Sequence, residues 1–293
     1  MPVHRRFLSR AAGALVLAGL LLCSACVINL GGFWDGETNA RINGVSIVVR
    51  DDRVFADGVE LTHRRWESVG GTLDPAGAVK LATATGELTL DGRTGDAWQL
   101  EALVFSELAG DGVVGFVDGS LTVTPGAGRK AIIDGVRGTL PAGLAVDVTT
   151  GTGTLRLAGF DGGRDLRLQG GTGLIVLKAA QVGVLRVESG TAEIELSDVR
   201  GAELDLNTGT GDVLLTDCDF DKAWLESGTA DLGLRGGRVG KLEADTGTGD
   251  VELRGTRVGH LSVESGTGDV LLAEGATADA ISTDLGTGDL LRR

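Results

Sequence analysis

Thr246-Gly247-Thr248-Gly249-Asp250-Val251-Glu252-Leu253 is one copy of a phrase that recurs eight times between Ala145 and Arg293. Its central glycines are Gly151, Gly171, Gly190, Gly209, Gly228, Gly247, Gly266 and Gly286, at intervals of 20, 19, 19, 19, 19, 19 and 20 residues. Threonine follows the glycine in every copy, from Thr152 to Thr287. A fixed period of this kind is the mark of a repeat architecture, and 19 residues is too short for a pair of helices.

The pattern inside the period names the unit. Leu185-Arg-Val187-Glu leads into Gly190, Leu261-Ser-Val263-Glu leads into Gly266, and Ile194-Glu-Leu196 and Val251-Glu-Leu253 lead away from their turns. Alternation with period two specifies strands. Counted from the central glycine, positions −5, −3, +4 and +6 are mostly apolar, and +9 and +11 add a shorter apolar pair such as Val239 or Val258. Each repeat therefore reads as one coil with two good strands and a weaker third. The predicted fold is all-β, a single-stranded β-helix or β-solenoid with about 19 residues per coil, in which stacked coils share one core. The regular solenoid is expected over residues 149–293.

Glycine at 0 and Gly or Ala at +2 are read as the residues that let the backbone turn sharply, with the threonine between them stacked on its copies. The Thr-x-Thr spacing, as in Thr246/Thr248, also resembles the flat threonine faces of ice-binding solenoids, but the first threonine alternates with serine and the flanking columns are charged.

Upstream, residues 45–148 are strand-rich without the strict repeat and are expected to form irregular N-terminal coils that can also cover the top edge. Val45-Ser-Ile-Val-Val-Arg50 and Val54-Phe-Ala56 read as a strand pair around Asp51-Asp52, and residues 26–44 as a tether. Residues 1–25 read as a lipoprotein signal peptide: Arg5, Arg6 and Arg10 are a basic start and Ala11 to Leu22 an apolar run. Leu22-Cys23-Ser24-Ala25-Cys26 resembles a bacterial lipobox, which would make Cys26 the lipidated residue, with an uncleaved anchor as the alternative. Val27 after that cysteine resembles the sorting pattern for the outer membrane. The resulting expectation is a cell-envelope, outer-membrane lipoprotein held to the membrane by its N-terminal lipid.

Leu140-Pro141-Ala-Gly-Leu144-Ala-Val146-Asp-Val148-Thr-Thr-Gly151-Thr-Gly153, with the strand pairs that follow, is similar to the bacterial "putative adhesin" β-strand-repeat family, a domain of unknown function related to the head GIN domain. The resemblance covers about residues 75–293. It implies a single-stranded β-helix that is exported and often membrane-tethered, and it carries over no catalytic residue.

Charge supplies the functional candidates. The chain carries a net −14, and removal of Arg5, Arg6 and Arg10 leaves 24 basic against 41 acidic residues, which disfavours nucleic acid as a partner. Acids fill two columns. The −2 column holds Glu188, Glu226, Asp245, Glu264 and Asp284, and the +3 column holds Glu193, Asp212, Asp231, Asp250, Asp269 and Asp289. Carboxylates about 4.8 Å apart repel by roughly 0.9 kcal/mol in water. Either turn glycine N–H groups and salt offset this, or calcium does, with Asp212, Asp231, Asp250, Asp269 and Asp289 as candidate ligands. Arg235, Arg238, Arg254 and Arg257, joined by Trp224 as a stacking platform, are candidates for an anionic or glycan ligand of the envelope, or a surface protein. The alternative for the arginines is a solvated face that balances the acidic columns.

No catalytic residues are assigned, because 19-residue coils leave no inserted loops to wall a cleft. If a polysaccharide-active site existed, Asp96, Glu101, Glu107 and Asp111 in the irregular part would be its candidates. Cys218, at +9, reads as a core thiol, and His4, His63 and His260 are too scattered for zinc. The sequence closes on Leu290-Leu291-Arg292-Arg293 directly after the eighth turn, which leads to the expectation of self-association through an uncovered last coil. The function expected is a non-catalytic, adhesin-like binding or structural module, with a periplasmic self-assembling scaffold or sensor as the alternative.

Overall fold

The structure, a computed structural model, describes residues 38–42, 44–50 and 53–293, with backbone alone over 38–42. The stretch expected to be an export signal, and Cys26, therefore lie outside the described residues. Among those described there is no helix, and hence none long and apolar enough to cross a membrane.

The 19-residue period is a hydrogen-bonded register. β12 (Ala145–Ala158) runs parallel to β13 (Arg164–Ser189), and β13 to β14 (Glu193–Thr208). Beyond β14 each coil resolves into one four-residue and one nine-residue strand. The short strands are β15 (Val213–Thr216), β17 (Leu232–Arg235), β19 (Val251–Arg254) and β21 (Val270–Ala273). The long strands are β16 (Asp219–Ser227), β18 (Arg238–Thr246), β20 (Arg257–Ser265) and β22 (Thr277–Leu285), and β23 (Leu290–Arg292) ends the series. Short strands stack on short ones, as in Val213↔Leu232↔Val251↔Val270, and long strands on long ones, as in Leu204↔Ala223↔Leu242↔Leu261↔Ile281.

The weaker third strand is present, but it is the first part of the long strand. In β16, Phe220 points inward, Asp221 and Lys222 are both exposed, and Ala223 points inward again, so the strand bends at a corner instead of ending. Gly240 and Gly259 occupy that corner in the next coils. A Cβ at Gly240 would lie 2.5 Å from the carbonyl oxygen of Asp221.

Alternation then builds the interior. Leu185, Leu204, Leu242 and Leu261 form one buried column, with Val213, Leu232, Val251 and Val270 in another, and the cluster runs unbroken from Val79 to Leu272. Burying a Leu or Val side chain contributes roughly 1.5–3 kcal/mol, so each thin coil is held by its neighbours on both sides. In β22 the corresponding Ala278, Ile281 and Leu285 are only half-buried.

Residues 45–148 depart from the expected coils in strand direction. β6 (Ala78–Thr83) and β7 (Leu88–Arg93) form one coil, parallel to β12. The rest is largely antiparallel. β5 (His63–Thr72) pairs with β8 (Ala97–Ser106), β8 with β11 (Ala131–Pro141), and β9 (Val113–Val117) with β10 (Ser120–Thr124). β11 also lies parallel on β7, so it seals the exposed side of the first coil. An open strand edge invites pairing, and antiparallel cover removes that hazard here. A separate antiparallel sheet of β1 (Thr38–Ile42), β2 (Val45–Arg50), β3 (Arg53–Ala56) and β4 (Val59–Leu61) packs Ile47, Val54, Ala56 and Leu61 against Ala84 and Ile132. The predicted pair β2–β3 forms, while β1 lies within the stretch read as tether and pairs along β2.

Candidate functional site

The corner around the central glycine is the most repeated feature of the molecule. The glycine is there for close approach and not for a special backbone angle: none of the central glycines from Gly190 onward has positive φ. A Cβ on Gly247 would sit 2.4 Å from the carbonyl oxygen of Gly228, and one on Gly249 only 1.8 Å from that of Ala230. The left-handed residue lies at +8 instead, where Gly159, Ala179, Asp198, Asp217, Gly236, Gly255 and Glu274 all have φ between 50° and 74°. Four of those seven are not glycine, which hides the column from a reading of the sequence.

The hydroxyl before the glycine is half-buried at Ser189 and buried from Thr208 to Ser265, whereas the threonine after it is exposed from Thr191 onward. The two hydroxyls of each Thr-x-Thr thus do not share a flat face. The buried one closes the turn. Ser189, Ser227 and Ser265 accept the N–H of residue +2 at 2.8 Å, while Thr208 and Thr246 donate to the carbonyl of +2 at 3.5 and 2.9 Å.

At +3 the aspartates solve their own repulsion. The N–H of Asp231 is given to the Asp212 carboxylate at 3.1 Å, Asp250 to Asp231 at 2.9 Å, and Asp269 to Asp250 and Asp289 to Asp269 at 2.8 Å. The donors are the backbone amides of the next aspartate, in place of the turn glycines expected from the sequence. Among the described residues no group of three or more His, Cys, Asp or Glu is gathered as for a metal ion.

The arginine candidates lie on either side of the +8 corner. Arg235 pairs in register with Arg254, and Arg238 with Arg257. Arg254 is engaged by Glu252 at 2.5 Å and Glu274 at 2.6 Å, and the contact holds the Glu252 carboxyl below the usual carboxylate range. Arg235, Arg238 and Arg257 are exposed.

Trp224 is not among them. It stands on the long-strand face at −4, between Asp205 and Glu243 of the adjoining coils. An open groove of about 360 Å³ is lined there by Asp205, Trp224, Glu226, Glu243, Asp245, Ser262 and Glu264. Its cause is a change of side-chain size: the −4 row reads Trp224, Glu243, Ser262, so a large ring is followed two coils later by a hydroxymethyl group. The indole is half-buried, and Lys222 Nζ lies 5.8 Å from its ring centre. Lys241 beside Glu243 holds that carboxyl below the usual range, with the Trp224 N–H adding to the effect. The structure thus places the tryptophan among acids, away from the arginines it was grouped with.

Cys218 is buried, its thiol directed at the carbonyls of Leu196 and Thr216, and burial pushes its pKa up to about 11. Of the acids named for an enzyme, Glu101 pairs with Arg137 at 2.6 Å, and Asp111 accepts the N–H of Gly126 at 2.9 Å, beside Arg129. Sequence reading missed Asp134. This carboxylate on β11 is buried and accepts Thr85 N–H at 2.8 Å, Thr85 Oγ1 at 2.6 Å and Gly86 N–H at 3.2 Å. It caps the first corner, where no earlier coil supplies acceptors. Burial raises its pKa, against the pull of the Thr85 and Gly86 bonds.

Among solved structures the solenoid is similar to a "putative adhesin" from Parabacteroides merdae at 14% identity and TM-score 0.56, covering 78% of this chain and 96% of that one. It is also similar to a "putative lipid binding protein" from Parabacteroides distasonis at 10% identity and TM-score 0.52, covering 78% and 97%. At these identities the likeness is one of fold. No curated protein matches the sequence. The Toastrack DUF4097 family model matches residues 117–289, a span that holds all eight glycine corners and more than half of the chain, and the chain belongs to that family.

Proposed function

We propose that the protein is an exported, lipid-anchored module of the cell envelope that binds an extended partner along its long-strand face and performs no catalysis itself. The observation that carries this reading is the face itself. From β14 to β22 the outward rows recur at one strand spacing, about 4.8 Å, in unbroken parallel register, and the −2 row is acidic in each coil from Glu226 to Asp284. A repetitive surface suits a repetitive or elongated ligand, whereas an active site needs unlike groups converging on one point. The basic start, apolar run and lipobox-like Leu22 to Cys26 support export, with Cys26 as the anchor.

Protease shaving of intact cells, with permeabilised cells and a Cys26→Ser chain as controls, tests the placement. Digestion of the native protein on intact cells, and its release to the soluble fraction in Cys26→Ser, is the expected result. Protection until permeabilisation would remove surface binding and leave a periplasmic scaffold as the reading to pursue.

A further inference from the structure

The groove beside Trp224 combines an aromatic wall with a row of acids that lack cationic partners. Of the acids that line the groove, Asp205 pairs with Arg186 at 3.8 Å and Glu243 with Lys241, while Lys222 approaches Glu203 at 3.6 Å, so the nearby cations are engaged away from the −2 row. His260 lies in the same row as those lysines. On the rim, the −2 carboxylates Glu226, Asp245 and Glu264 follow one another at successive coils, about 4.8 Å apart. Among the described residues none of the three forms an ion pair with Lys or Arg; Glu226 is held only by the Asn207 amide at 2.9 Å. The indole face already receives an ammonium, that of Lys222, at cation–π distance.

These features select a ligand by chemistry. An anion is repelled by the rim. A single compact cation would leave the ring idle. A chain of methylenes with an ammonium every three or four carbons places its charges about 5–6 Å apart by ordinary bond lengths, close to the coil spacing, and its apolar links can lie along the indole. A recess of about 360 Å³ falls at the small end of ligand pockets and accommodates such a molecule.

We infer that the Trp224 groove binds a linear aliphatic polyamine, with its ammonium groups on Glu226, Asp245 and Glu264 and its methylenes against the indole. The inference rests on the binding reading above and names its ligand class.

Calorimetric titration of the full chain with spermidine tests it. One saturable site per chain is expected. Trp224→Leu should weaken it about five- to tenfold, through loss of the apolar ring surface against which one or two methylenes lie. Asp245→Asn with Glu264→Gln should weaken it by tenfold or more, and the pair Asp231→Asn with Asp250→Asn on the +3 ladder should leave it unchanged. Thermal melting of each variant shows whether the fold survives, and the carboxamide pair keeps the test open if Trp224→Leu does not fold. Equal weakening by the ladder pair would mean diffuse counterion attraction and overturn the proposal. Displacement of spermidine by equimolar Mg²⁺ would overturn it in favour of a metal, and absence of saturation would overturn it outright. Failure here with successful surface shaving would leave the envelope module standing and discard only the polyamine.

Discussion

The corner at Thr83–Gly86 and the corner at Thr246–Gly249 have the same outline but are closed by different means. At the later corner Thr246 donates to the Gly249 carbonyl, and the coil beneath receives Thr248 N–H through the carbonyl of Gly228. At the first corner Thr83 donates to Gly86 in the same way, but the acceptor for the turn amides comes from Asp134, 49 residues along the chain. A repeat closes itself with contacts it has many copies of. Its beginning needs a part made once.

The largest expected effect lies at that single part. Asp134→Ala leaves three part-buried donors without their acceptor, at about 1 kcal/mol or more each, and should cost about 3 kcal/mol in chemical denaturation. Thr246→Val at the repeated corner removes one hydroxyl bond and should cost about 1 kcal/mol. Equal losses at the two sites would break the comparison. The same contrast has a pH signature. The folded pKa of Asp134 lies above its unfolded value, so folding takes up a proton between the two. Its contribution is complete below the unfolded pKa, near 3.8, and is lost as pH rises through the raised folded value. Asp134→Asn should flatten that part of the stability curve.

Glycine substitutions sharpen the contrast at intermediate size. Gly247→Ala forces a Cβ against the Gly228 carbonyl and should cost about 1–3 kcal/mol, whereas Gly115→Ala in β9 meets only Thr122 Oγ1 at 3.6 Å and should melt like the native chain. At the +8 corner, Ala179→Gly should gain up to about 1 kcal/mol by relieving a left-handed non-glycine residue, and Gly255→Ala should lose a similar amount. The smallest effect is expected on the acidic ladder. Asp250→Asn keeps an acceptor for Asp269 N–H while removing a charge, so its stability should rise by a few tenths of a kcal/mol at low salt and match the native chain at 1 M salt.

The solenoid was legible because every coil repeats its solution: Leu204, Leu242 and Leu261 announce the core, and Gly209 to Gly286 announce the corner. What stayed hidden was whatever is solved once or solved by unlike residues. Asp134 is one aspartate among many, and only β11 folding back on β7 gives it a role. The +8 turns are carried by Ala179, Asp198, Asp217 and Glu274 as well as by glycine, although Gly159, Gly236 and Gly255 at one common offset were a usable signal. The antiparallel direction of β5, β8 and β11 is set by which edge needs cover, a property of the finished stack. At the Trp224 groove the residues were visible, but their grouping was not. Pairing Trp224 with the arginines ignored that −4 and +7 fall on different strands of the coil, while the recess depends on the order Trp224, Glu243, Ser262 along one row.

The 19-residue register also makes the molecule a ruler. Because each coil bonds only to the coils beside it, duplication of residues 228–246 would slide a complete layer into the stack with every amide matched. The rod would lengthen by one strand spacing, about 4.8 Å, with its outward rows still aligned. Reach is thus a heritable integer in this architecture: distance from the N-terminal sheet changes in whole coils, without redesign of either end.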